Sequence, residues 1–75
     1  MIMERESLLK MVGIQLGRRK VRIEDRFFED LNAESVDMVN LAANIEERTG
    51  IFIPEEIIPE LKTVKDLESY LLSQQ

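Results

Sequence analysis

Seventy-five residues with a net charge of −5, no Cys and no His fit one small domain, read as residues 1–75. That composition excludes disulfides, thiolate or imidazole metal sites, and the His- or Cys-based nucleophile pairs of hydrolases. Residues 1–6 lack the pattern of a signal peptide and no apolar run approaches spanning length, so a cytoplasmic protein without membrane insertion is expected.

Leu8, Leu9, Val12 and Leu16 recur at helical spacing and predict a first helix over 3–16. Gly13 weakens it slightly, and Gly17 suits its C-terminal cap. A long connection follows. It carries the basic run Arg18-Arg19-Lys20-Val21-Arg22, read as solvated loop, and the pair Phe27-Phe28, of which at least one should pin the loop to the core. Residues 32–49 predict the second helix with its approach. Asn32 tolerates a left-handed turn, Ser35 and Asp37 favour the first helical turn, and Gly50 closes the helix. Val36, Val39, Ala42 or Ala43, and Ile45 fall on one face and are read as apolar and inward. Asp37, Asn40, Asn44 and Glu47 fall opposite.

Ile51-Phe52-Ile53 reads as a short apolar linker. Pro54 suits the first position of a brief third helix, with Glu55 and Glu56 in its first turn and Pro59 ending or kinking it after about one turn. Thr63 and Asp66 form a capping-box pattern at the start of the last helix, whose Val64, Leu67 and Leu71 share a face with Tyr70 beside it. Residues 73–75 are expected to fray. The fold class is all-α, a four-helix bundle of three longer helices and one short third helix.

Charge is uneven along the chain. Residues 1–28 hold seven Lys/Arg against four Asp/Glu, residues 29–60 hold one against nine, and residues 61–75 hold two of each. The acidic middle repels nucleic acid and favours basic protein surfaces. A calcium loop fails there, although Asp30, Asn32 and Glu34 alternate like its first ligands: Ser35 stands where glycine is required and Leu41 where a bidentate Glu is required. No metal site is expected. Nor is enzymatic activity, since nothing supplies a base for a nucleophile and the domain is too small for a deep cleft.

The segment from Glu29 to Leu41, EDLNAESVDMVNL, resembles the modification motif of acyl carrier proteins, acidic-Asp-Leu-Gly-Ala-Asp-Ser-Leu-Asp followed by an amphipathic helix. Residues 11–17, Phe27, Ile45-Glu46-Glu47, Ile53-Pro54-Glu55-Glu56 and Thr63-Val64 match that family's order and spacing, so the similarity covers residues 5–72. The resemblance implies a non-catalytic carrier, expected as a monomer. Ser35 would bear 4′-phosphopantetheine, transferred from coenzyme A by a phosphopantetheinyl transferase, and the arm's thiol would hold acyl groups as thioesters. It further implies partner binding through Glu34, Val36, Asp37, Met38, Glu46 and Glu47 to acyl-processing enzymes with basic docking patches. It implies an acyl pocket drawn from Phe27, Phe28, Val39, Ala42, Ile45, Ile53, Ile58, Leu61, Leu67 and Tyr70. Asn32, Glu34, Val36 and Asn40 depart from the family's usual Gly, Asp, Leu and acid, Pro59 is unusual inside the third helix, and the basic run from Arg18 to Arg22 is further from the pattern; together they point to a specialised pathway. The alternative is an unmodified acidic helical adaptor that binds a basic protein partner.

Overall fold

The computed structural model describes residues 3–75. Of residues 1–6, read above for a leader pattern, the first two lie outside the described residues. Three α-helices, α1 (Arg5–Leu16), α2 (Ser35–Thr49) and α3 (Val64–Ser73), are joined by one long loop and a connector holding a 3₁₀ turn at Ile58–Glu60. The architecture is all-α, with the expected short third helix reduced to that 3₁₀ turn. Pro59 does not end a helix begun at Pro54. It occupies the first turn of the 3₁₀ segment, where a missing N–H costs nothing.

α1 packs against both α2 and α3, and the 3₁₀ turn packs against α2. Its inward stripe is Leu8, Met11 and Val12. The helix closes in a Schellman motif: Gly17, at φ 68°, donates to the Ile14 carbonyl and Arg18 donates to the Gly13 carbonyl at 2.8 Å. That reversal brings the chain back onto the helix. A Cβ on Gly13 would lie 2.7 Å from the Arg18 carbonyl oxygen, so glycine is needed here for close approach.

The loop that follows is fixed by its own side chains and by α3. Phe27 is fully buried, and Leu31 and Ala33 are buried with it, while Phe28 is 46% exposed. One aromatic thus anchors the loop, as expected, and it is the first of the pair. Asn32 adopts the left-handed conformation at φ 57°. The Phe27 N–H donates to the Lys62 carbonyl, and the Asp25 and Ile23 carbonyls accept from the Val64 and Lys65 N–H groups. These two donors open α3 and have no partner within the helix. The third, Asp66 N–H, is taken by the Thr63 hydroxyl at 3.1 Å, and the Asp66 carboxylate accepts from the Thr63 N–H. The expected capping box is present, and the entrance of α3 is satisfied.

Val64, Leu67 and Leu71 of α3 meet Met38, Leu41 and Ile45 of α2 and Ile53 and Leu61 of the connector in one core. Among the described residues no polar or charged side chain is buried.

Candidate functional site

α2 presents the site, and its rotation differs from the sequence reading. The core stripe is Met38, Leu41 and Ile45. Val36 and Val39, expected inward, are 57% and 44% exposed, and Ala43 is exposed beside them. At about 100° per residue, two apolar stripes run along α2 at three- and four-residue spacing, and the one with the larger side chains is buried. Met38, expected on the partner-binding face, therefore lies in the core at 3% exposure. The outward face combines Val36, Val39 and Ala43 with exposed Glu34, Asn40, Glu46 and Glu47.

Ser35 is exposed at the first position of α2. It does not cap the helix: Glu34 holds the N-cap position in extended conformation, and its N–H donates to the Asp37 carboxylate at 2.9 Å. That bond leaves Asp37 half-buried and turned back along the helix. Ser35 enters no side-chain hydrogen bond among the described residues, so its hydroxyl is free. The Ser35 and Val36 N–H groups, the first two of α2, likewise lack a protein acceptor among the described residues. The contrast with α3 is direct, because there the loop carbonyls and Thr63 occupy every equivalent donor.

Behind α2 lies an apolar seam lined by Met38, Leu41, Ala42, Ile45, Ile53, Ile58, Leu61 and Leu67. It is narrow, with about 10 Å³ of free space. Six of the ten residues expected in an acyl pocket, Ala42, Ile45, Ile53, Ile58, Leu61 and Leu67, are brought together there. Phe27 is buried elsewhere in the core, Phe28 and Val39 face solvent, and Tyr70 is half-buried, with its hydroxyl 3.4 Å from the Phe52 carbonyl. Met38 and Leu41 line the seam without having been expected in it, and their size relative to Val36 and Val39 was the available signal.

The groups whose titration is displaced form two exposed ion pairs. Arg5, through hydrogen bonds and charge, holds the Glu68 carboxyl below its usual range, and Arg26 does the same to Asp30. Neither pair includes a residue adjacent to Ser35.

Comparison with known proteins agrees with this geometry. Residues 6–71 match the family model described as the phosphopantetheine attachment site, which defines a carrier domain. An acyl carrier protein of Helicobacter hepaticus is 44% identical over 68 residues, covering 88% of this chain and 90% of its own. One of Bdellovibrio bacteriovorus is 46% identical over 67 residues, covering 89% and 83%. The chain belongs to the acyl carrier protein family. In fold it is similar to the solution structure of 3-oxo-butyl-ACP, an intermediate mimic from the actinorhodin polyketide synthase of Streptomyces coelicolor, with a TM-score of 0.76 at 20% identity over 99% of this chain and 95% of that one. The family's prosthetic group is phosphopantetheine, and the protein acts as a carrier with acyl-processing enzymes. The matches do not favour the unmodified adaptor.

Proposed function

We propose that Ser35 is the residue that receives 4′-phosphopantetheine. The observation that carries this is an exposed, unpartnered hydroxyl at a helix N-terminus whose first two N–H groups are unclaimed. A phosphodiester fits such a place, since free donors and the positive end of the helix dipole both favour an anion. Other hydroxyls lack that combination: Thr63 is spent on its cap, and Ser73 donates to the Tyr70 carbonyl at the far end of α3. When bound, the group supplies a thiol, which this Cys-free chain does not have. Ser35 tethers it, the α2 entrance orients its phosphate, and exposure lets a phosphopantetheinyl transferase reach the hydroxyl. On this reading the protein carries the group and the chemistry belongs to its partner enzymes.

Partner enzymes dock on the outward face of α2. There Val36 and Val39 supply apolar contact, while Glu34, Glu46 and Glu47, with Asp37 at the rim, meet basic patches. Exposed charge contacts suit a carrier that must bind many enzymes briefly, because they raise encounter rates and are screened by salt. The narrow seam behind α2 is where an acyl chain would shelter, lined by Met38, Leu41, Ala42, Ile45, Ile53, Ile58, Leu61 and Leu67. The reading places the carrier in the cytoplasm, working as a monomer.

The test is mass measurement of the intact protein after incubation with coenzyme A and a broad-specificity transferase. One phosphopantetheine mass should be gained and should map to Ser35, and Ser35→Ala should gain none with its helical circular dichroism unchanged. An unmodified wild-type chain, under conditions that load a control carrier, overturns the assignment.

A further inference from the structure

On α1, Ile14 is 77% exposed, more than any other large apolar side chain among the described residues. Two grooves flank it. One, of about 310 Å³, is lined by Lys10, Gly13, Arg18, Arg19 and Val21. The other, of about 450 Å³, is lined by Lys10, Gln15, Asn44 and Arg48, with Glu47 as its acidic member. Lys10 and Ile14 border both, so the isoleucine stands on a ridge between two recesses and is ringed by four cations. None of the four joins an ion pair among the described residues, where Arg5 and Arg26 are the paired cations.

The geometry is held in place. Arg18 is fixed at its backbone by the bond to the Gly13 carbonyl and at its side chain by an Nε–H donated to the Leu31 carbonyl at 3.3 Å, so its remaining N–H groups face outward. The Asn44 amide donates to the Gln15 side chain at 2.7 Å and joins α2 to the ridge. Four cations around an exposed apolar side chain, with Arg18 held in place, match the usual anatomy of a docking patch, an apolar anchor within a charged rim.

We propose that this ridge is a second docking surface, which takes an acidic protein segment carrying an aliphatic side chain. Charge complementarity selects the sign of the partner. The relief selects a protein over a lipid surface: membrane contact favours a broad apolar face with aromatic anchors, whereas here a single isoleucine rises between two recesses and Glu47 sits at the rim. A polyanionic duplex would gain phosphate contacts but leave both recesses and Ile14 unused. The carrier would then have two faces of opposite sign. The acidic α2 face meets enzymes that work on the cargo and the cationic α1 face holds an acidic component, the two faces adjoining at Glu47. This face is independent of Ser35.

The experiment titrates the 15N-labelled full chain with a Glu- and Asp-rich decapeptide containing leucines. In parallel, phosphatidylglycerol vesicles and a short DNA duplex are tested by co-sedimentation and anisotropy. Amide shifts should concentrate at Lys10, Ile14, Arg18 and Arg19 and be absent at Val36 and Val39. The double variant Lys10→Glu/Arg19→Glu should weaken the peptide roughly tenfold, and Ile14→Ala several-fold at unchanged net charge. Glu46→Lys should leave this binding intact. All these side chains are exposed, so folding should be unaffected, and the double variant should still accept phosphopantetheine, which separates failure here from failure at Ser35. Absent or evenly scattered shifts, binding indifferent to Ile14→Ala, DNA binding as tight as peptide binding, or vesicle binding without peptide binding would each overturn the proposal.

Discussion

Asp37 shows how much of the attachment site depends on one carboxylate. Its oxygen accepts the Glu34 N–H and fixes the backbone just ahead of the serine, so Ser35 and Val36 are left as the open donors. Replacing it with alanine removes a cap worth about 1 kcal/mol. For a domain of this size that should lower the melting temperature by about 4–8 °C. Phosphopantetheine loading should slow as well, because the backbone that presents the hydroxyl frays. A variant that melts as the wild type does would show that the helix start is held some other way. Glu68 makes a different case. Arg5 donates to both of its oxygens, at 2.7 and 2.9 Å, and lowers its pKa in the folded state. A lowered folded pKa means the pair contributes fully above the unfolded Glu value of about 4.3. The contribution disappears as pH falls through the folded value. It is small at neutral pH, since the pair lies against solvent. Glu68→Gln should therefore cost little at neutral pH and should flatten the loss of stability on acidification, read from urea melts across the acid range. An unchanged acid slope would leave the pair without a thermodynamic role.

At the scale of elements, Gly13 reverses a general rule. Alanine in place of a mid-helix glycine normally stabilises by about 1 kcal/mol. Here the new methyl would meet the Arg18 carbonyl oxygen at 2.7 Å, a backbone atom that cannot rotate away. Gly13→Ala should destabilise by about 1–3 kcal/mol, as other overpacking changes do. The loss should appear as a lower thermal midpoint, with amide shifts centred on Arg18 and Leu31. An increase in stability would mean that the loop shifts without strain. This close approach also marks the limit of the sequence reading. The helices, Gly17 as a cap, the left-handed Asn32 and the Thr63/Asp66 box were legible because each depends on residues within about one turn. The burial of Leu31 and Ala33, and the loop carbonyls that satisfy Val64 and Lys65, depend on contacts between segments far apart in sequence. The rotation of α2 was ambiguous for a different reason: its two apolar stripes have the same period, and only side-chain bulk distinguishes Met38 and Leu41 from Val36 and Val39. The exposure of Ser35 was legible all the same, because a helix start preceded by an acidic, turn-forming stretch seldom lies under the core.

For the whole molecule, the decisive feature is a core that is complete without cargo yet built from separable parts. The free space of the seam, about 10 Å³, has room for about one water at most, so an acyl chain enters only if α2 and the 3₁₀ connector part. Three things make that parting feasible. No buried hydrogen bond between side chains crosses the seam among the described residues, Ala42 leaves its mouth half-exposed, and the connector facing it is a short 3₁₀ turn in place of a long helix. Each methylene withdrawn from water contributes about 0.8 kcal/mol, which offsets the cost of separating the walls once the chain is long enough. The melting temperature of the loaded protein should therefore rise from the acetyl to the octanoyl thioester, and amide exchange should slow at Leu41, Ile45 and Leu61. Ala42→Phe fills the mouth of the seam from an exposed edge. It should remove most of that length dependence while leaving the mass gain at Ser35 unchanged. If acetyl and octanoyl forms melt together, or if the variant keeps the full octanoyl increment, the cargo lies outside the seam and those eight apolar residues serve only as core.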